Sequence, residues 1–117
     1  MSAPTPVTRI ACFLFKPSVT SSQKGDRTAA FLALYAQHPE LLIAPPRGGK
    51  PLTTPLDLTN VQRDKSWDTG FVAVFKSDEA RKAFDADPGH ERLKEETDPL
   101  LEKVFVYDFV EEEGLGW

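Results

Sequence analysis

Short apolar runs punctuated by proline and glycine set the pattern of this chain. Val7–Phe15 (VTRIACFLF) is rich in aliphatic and aromatic residues and is stopped by Pro17, which predicts a strand. Asp26–Gln37 repeats apolar residues near the i, i+3, i+4, i+7 spacing, with Thr28, Phe31, Leu32, Tyr35 and Ala36 on one face. That spacing predicts a helix, ended by Pro39 and starting as early as Ser21 if Gly25 is tolerated inside it. Trp67–Phe75 alternates Trp67, Thr69, Phe71, Ala73 and Phe75 against Asp68, Gly70, Val72 and Val74, the two-residue period of a strand. Ser77 then caps a helix whose first turn holds Asp78 and Glu79 and whose apolar side holds Ala80, Ala83 and Phe84. A further helix is predicted from about Pro88 to Glu102, with His90, Leu93, Thr97, Leu100 and Leu101 inward and Asp98–Pro99 as a kink or restart. Val104–Val110 predicts the last strand.

Between these elements the pattern weakens. Five of the ten prolines fall between Pro39 and Pro55, together with Gly48 and Gly49. Residues 39–66 therefore read as a long Pro-rich loop region, with Leu41–Ala44 as a short edge strand at most. Residues 1–6 read as a loose arm and 111–117 as a tail. The order β-α-β-β-α(α)-β predicts one α+β domain over 1–117. Its expected form is a ferredoxin-like split βαβ with an antiparallel sheet and helices on one face. One feature departs from that plan. A sheet with one wet face alternates apolar and polar residues. Here Phe105, Tyr107 and Phe109 stand opposite Val104 and Val106, and Phe71 and Phe75 opposite Val72 and Val74. Both faces are apolar, so a second copy of the chain is the expected cover, giving a homodimer.

Composition narrows the function classes. The chain has 117 residues, 40 % of them hydrophobic and 27 % charged, with a net charge of −4. Residues 91–117 carry −6 and the rest +2, so no basic stripe exists to bind nucleic acid. No apolar run is long enough to span a membrane, and Ile10–Phe15 is too short for a signal peptide's apolar segment. A cytoplasmic, reducing setting is expected. One cysteine, Cys12, and two histidines, His38 and His90, exclude an internal disulfide and leave no metal site or cofactor motif.

The segments WDTGFVAVFKS, EARKAFDADPGHERL and LLEKVFVYDF, within Trp67–Phe109, resemble the stress-responsive A/B-barrel (Dabb) domains, which are dimeric α+β barrels. The turn Asp87-Pro88-Gly89-His90 stands where that family has an HPxH turn, and RIACFLFKP is similar to its opening strand. The resemblance implies a dimeric barrel with sheets facing each other. It leaves the activity open between stress-responsive proteins of unclear role and cofactor-free polyketide cyclases. In the cyclases a histidine of the late helix acts as base in a pocket between sheet and helices. By resemblance that base falls on His90. Pocket positions fall on Arg9, Phe31, Thr69, Phe84 and Leu101, where the cyclases carry other side chains, and Phe71 joins the aromatic set.

Each candidate has a plain alternative. His90 is a general base at neutral pH, or a turn histidine bonded to backbone. Arg9, among Ala11, Phe13 and Phe15, anchors an anionic ligand, or pairs with an acid, because a charge facing a core is costly alone. Thr69 binds a ligand carbonyl, or is an ordinary strand residue. Phe31, Phe71 and Phe84 line an apolar pocket, or pack a core. Asp68 and Asp108, lone strand acids, are expected to pair across the sheet or at the dimer seam. The function read from this set is a dimeric protein that binds a hydrophobic small molecule. One form is a cofactor-free cyclase acting on an aromatic or polyketide-like substrate through His90. The alternatives are a non-catalytic stress-responsive module and a cofactor-free monooxygenase-like or EthD-like enzyme. A pocket between sheet and helices that reaches both His90 and Arg9 favours the enzyme.

Overall fold

The computed structural model describes residues 4–56 and 59–117. Its central strand is β1, Val7–Phe15, whose burial alternates without a break. Val7, Arg9, Ala11, Phe13 and Phe15 are buried, and the residues between them are half-buried. β1 is flanked by β3 (Thr69–Phe75) on one side and β4 (Leu101–Phe109) on the other, both antiparallel, and β2 (Leu42–Gly49) pairs outside β3. The sheet order is thus β2-β3-β1-β4, a ferredoxin-like α+β arrangement. Register places Arg9 between Ala73 and Asp108, Ala11 between Phe71 and Val106, and Phe13 between Thr69 and Val104.

Three helices cover one face. α1 spans Ser21–Ala36, the earlier of the two expected starts. Gly25 sits within it facing open space, at a helix cost of roughly 1 kcal/mol. The start is fixed instead by Thr20 and Gln23, which form a capping box. The helix also rolls relative to the expected face. Leu34 and Tyr35 are buried and Phe31 packs beside them, whereas Leu32 is 47 % exposed and Ala36 is exposed. α2 spans Asp78–Asp85 behind its Ser77 cap, whose hydroxyl accepts from the Ala80 N–H at 3.1 Å. α3 spans Pro88–Thr97, with the Asp87 carboxylate accepting from the Gly89 N–H at 2.8 Å. Asp98–Pro99 restarts the chain as a single 3-10 turn, Asp98–Leu100, and β4 begins at Leu101, earlier than the apolar run at Val104 suggests.

The proline-rich segment differs most from the sequence reading. Pro39–Leu41 forms a 3-10 turn, and β2 then runs eight residues, through Pro45 and Pro46, to Gly49. The prolines are tolerated because β2 is an edge strand. Its register against β3 also slips between Ala44 and Arg47, where the two prolines stand. Of the segments expected as loop and arm, residues 57–58 and 1–3 lie outside the described residues. The C-terminal segment makes a short exposed 3-10 turn, Glu113–Gly116.

The core has two clusters under the helices. Phe75 and Phe84 are fully buried in the first, with Leu34, Tyr35 and Leu93; Phe13, Phe15, Val19 and Leu101 make the second. Phe31 and Phe71 touch both. The opposite sheet face carries Val72, Phe105 and Tyr107 at 41, 43 and 55 % exposure, and the rings of Phe105, Tyr107 and Phe109 follow one another at 6.5 and 5.7 Å. β2 is seated by Gly48, where an added Cβ would collide with the Gly70 carbonyl and the Phe71 Cα. Gly48→Ala is expected to displace the edge strand and cost about 1–3 kcal/mol, as overpacking does. Urea unfolding measures it, and an unchanged midpoint would refute the close seat.

Candidate functional site

The odd-numbered side of β1 delivers one charge into an apolar layer, Arg9, which is 7 % exposed. Two carboxylates meet it. Asp108 lies opposite on β4 by register and accepts from Nε at 2.7 Å and Nη2 at 2.9 Å. Asp85, the last residue of α2, accepts from Nη1 at 2.7 Å and Nη2 at 2.8 Å. Both contacts are bidentate, the strong geometry for a guanidinium. The Phe75 ring lies 5.3 Å beneath the same group. Asp108 also accepts from Arg81 at 3.1 Å, and Arg81 holds Asp78 at 2.7 Å. Burial opposes the charge of Arg9, but the hydrogen bonds it donates to Asp108 and Asp85 outweigh it and raise its pKa. The hydrogen bond from Arg9 in turn holds the Asp108 carboxyl below the usual carboxylate range, against its partial burial.

Beside this network a cavity of about 280 Å³ opens between sheet and helices. Its walls include Arg9, Phe31, Tyr35, Phe71, Asp85 and His90, with Val104 and Val106 on the β4 side. His90 stands at the third position of α3, positioned by the Asp87 cap, with its ring 5.2 Å from that of Phe84. Its Nδ1 is buried without a hydrogen-bond partner. Burial lowers the His90 pKa, so the ring is neutral at pH 7. Burial pushes the Tyr35 phenol up to about 12, so it too is uncharged. A neutral imidazole, a protonated phenol and apolar rings around one void suit an uncharged organic molecule with a polar group.

The residues singled out in the sequence do not all meet there. Arg9, Phe31, Phe71 and His90 share the cavity. Thr69 lies on a neighbouring void of about 190 Å³ toward β2, again walled by Phe31 and Phe71, and its hydroxyl stands 3.5 Å from the Gly49 carbonyl. Phe84 is fully buried, stacked on Tyr35 at 4.4 Å, and supports the His90 ring from below. Leu101 packs in the second cluster with Phe15 and Val19. Tyr35 and Asp85 are among the wall residues that the sequence does not single out. A signal for Asp85 existed: a buried arginine with two free edges calls for a second acid. Cys12 is half-buried on the outer sheet face, and burial raises its thiol pKa, which leaves it a poor nucleophile. Among the described residues no group of three or more His, Cys, Asp and Glu side chains is arranged to hold a metal ion. No helix among them is long and apolar enough to cross a membrane.

His90 and Asp108 both have lowered pKa values in the fold, so the unfolded chain takes up each proton first. Stability is then complete above the unfolded values, about 6.5 and about 3.9, and falls as pH drops below each. The melting temperature is expected to decline from pH 7 to pH 5, and His90→Gln to flatten that decline. Thermal melts across the step check this, and equal slopes in both proteins would refute it.

The fold recurs in solved structures. A hydroxynitrile lyase from Passiflora edulis superposes with a TM-score of 0.78 at 19 % identity, over 94 % of this chain and 96 % of that one. A dimeric ferredoxin-like protein of unknown function from Thermobifida fusca gives 0.68 at 22 %, over 92 % of each. A cofactor-independent oxygenase from Streptomyces nogalater, SnoaB, gives 0.66 at 17 %, over 95 % of this chain and 97 % of that one. At such identities the likeness speaks for the fold alone. No curated protein sequence matches the chain. The stress responsive A/B barrel domain model matches residues 49–111, which is more than half of the sequence and holds β3, α2, α3 and β4. The chain therefore belongs to the stress responsive A/B barrel (Dabb) family.

Proposed function

We propose that this protein is a dimeric, cofactor-free enzyme that removes a proton from an uncharged aromatic or polyketide-like carbonyl compound, with His90 as general base. The observation that carries this reading is the cavity between sheet and helices, whose wall includes both His90 and Arg9. One feature favours the base role. Burial disfavours the charged imidazolium, so the ring keeps a lone pair at neutral pH. The hydroxynitrile lyase and the cofactor-independent oxygenase offer fold-level analogy only. Arg9 serves by fixing Asp85 and Asp108 in place. Phe31 and Phe71 supply apolar wall, Phe84 backs the imidazole, and Thr69 and Leu101 stand outside the base's cavity.

A non-catalytic binding module is the second reading. It is favoured by the lack of a hydroxyl at Phe84 and by the pairing of Arg9 with two carboxylates, which leave fewer free polar groups around His90. Hydrogen–deuterium exchange at the methyl group of an aryl methyl ketone, followed by proton NMR in D₂O, separates the two. The native protein should accelerate exchange, and His90→Gln should lose about 10²–10⁴-fold of it. Exchange no faster than in buffer would remove the enzyme reading.

The dimer rests on the outer sheet face, where Val72, Phe105 and Tyr107 stay exposed beside the half-buried Ile10 and Val74. Dimeric proteins of the same fold support it. Light scattering at micromolar concentration is expected to give twice the 13.0 kDa chain mass. A monomer mass would overturn it.

A further inference from the structure

Of the two carboxylates that hold Arg9, Asp85 is the one that lines the cavity. It lines the void together with Arg9, whereas Asp108 takes the opposite edge of the same guanidinium and lies outside the lining. Four of the five guanidinium N–H groups are consumed: Nη1 and one N–H of Nη2 by Asp85, Nε and the other N–H of Nη2 by Asp108. Both edges able to grip a carboxylate at two points are thus occupied from within the protein. The cavity's other cation, Lys94, is 45 % exposed, where water screens its charge, and it pairs with Glu91 at 3.0 Å. Asp85 and Asp98 add negative charge to the same wall. A carboxylate entering here would leave water, find no free two-point edge on Arg9 and approach the carboxylates of Asp85 and Asp98. A ketone or phenol meets none of these penalties and keeps the apolar contacts of Phe31 and Phe71.

We propose that the cavity selects uncharged ligands over carboxylates, and that Asp85 sets this selectivity by occupying the edge of Arg9 that faces the void. This rests on the cavity's being the ligand site, as in the function proposed above. Asp108 and Arg81 remain in place without Asp85, so the guanidinium would stay anchored to β4 while one two-point edge became free. The same arginine would then accept an anion.

The test compares 2-acetonaphthone with 2-naphthoate, one ring system with and without a charge, by calorimetric titration of the full chain at pH 7.5. The native protein is expected to bind the ketone at least about tenfold more tightly. Asp85→Ala is expected to strengthen naphthoate binding by about tenfold to hundredfold, the range for a hydrogen bond to a charged group. Asp85→Asn, which keeps an acceptor for one N–H and the shape of the side chain, should shift the ratio the same way by less. It also covers the case in which the alanine variant does not fold. Naphthoate bound as tightly as the ketone by the native protein, or an unchanged ratio in the variants, would overturn the proposal, as would binding of neither ligand. Selective binding without ketone exchange would remove only the reaction at His90 and leave the selectivity of Asp85 standing.

Discussion

A single buried charge organises this molecule. Arg9 enters the layer between sheet and helices because β1 is the central strand and its odd-numbered side faces inward. A guanidinium there is costly unless its hydrogen bonds are met, and removing one partner of such a group typically costs about 3–5 kcal/mol. The demand is met from two directions, by Asp108 across the sheet and by Asp85 at the end of α2. The register of β4 against β1 and the reach of α2 over the sheet are thus tied to one side chain. Arg81 extends the tie by holding Asp108 from α2 itself.

That tie also shapes the void. The inward face of β4 stays open beside the helices, with Val104 and Val106 at 44 and 53 % exposure. The cavity fills the space left there, with His90 on one wall and the ion network on the next. Polar chemistry and apolar walls therefore meet along one seam of the fold, where α2 hands over to α3.

The fold was largely legible in the sequence because its signals are local. The two-residue alternation of Trp67–Phe75, the Ser77 cap and the restart at Asp98–Pro99 each act over a few residues. The segment beyond Ala44 carries no such signal. Pro45 and Pro46 argue against a strand by propensity, and only the pairing of β2 with β3 at Arg47, Gly48 and Gly49 overrides them. The site was legible in part for the same reason. His90 stands in a recognisable turn, and strand alternation puts Asp108 on one face with Val104 and Val106, but only the register of β4 against β1 makes Arg9 its partner. Asp85 and Tyr35 come from two different helices, and nothing in their local spacing says that they converge on Arg9 and His90. The roll of α1, which buries Leu34 in place of Leu32, is likewise a product of packing.

The prolines of β2 have one more consequence. An edge strand ordinarily shows a row of unpaired N–H and C=O groups that another strand can extend. Pro45 and Pro46 have no N–H to offer, and the slip in register beside them bends the row out of line. This rim of the sheet is thereby closed to strand-by-strand extension. The apolar outer face of the sheet has no such barrier, and the dimer proposed above would form there by burying side chains, without borrowing this edge.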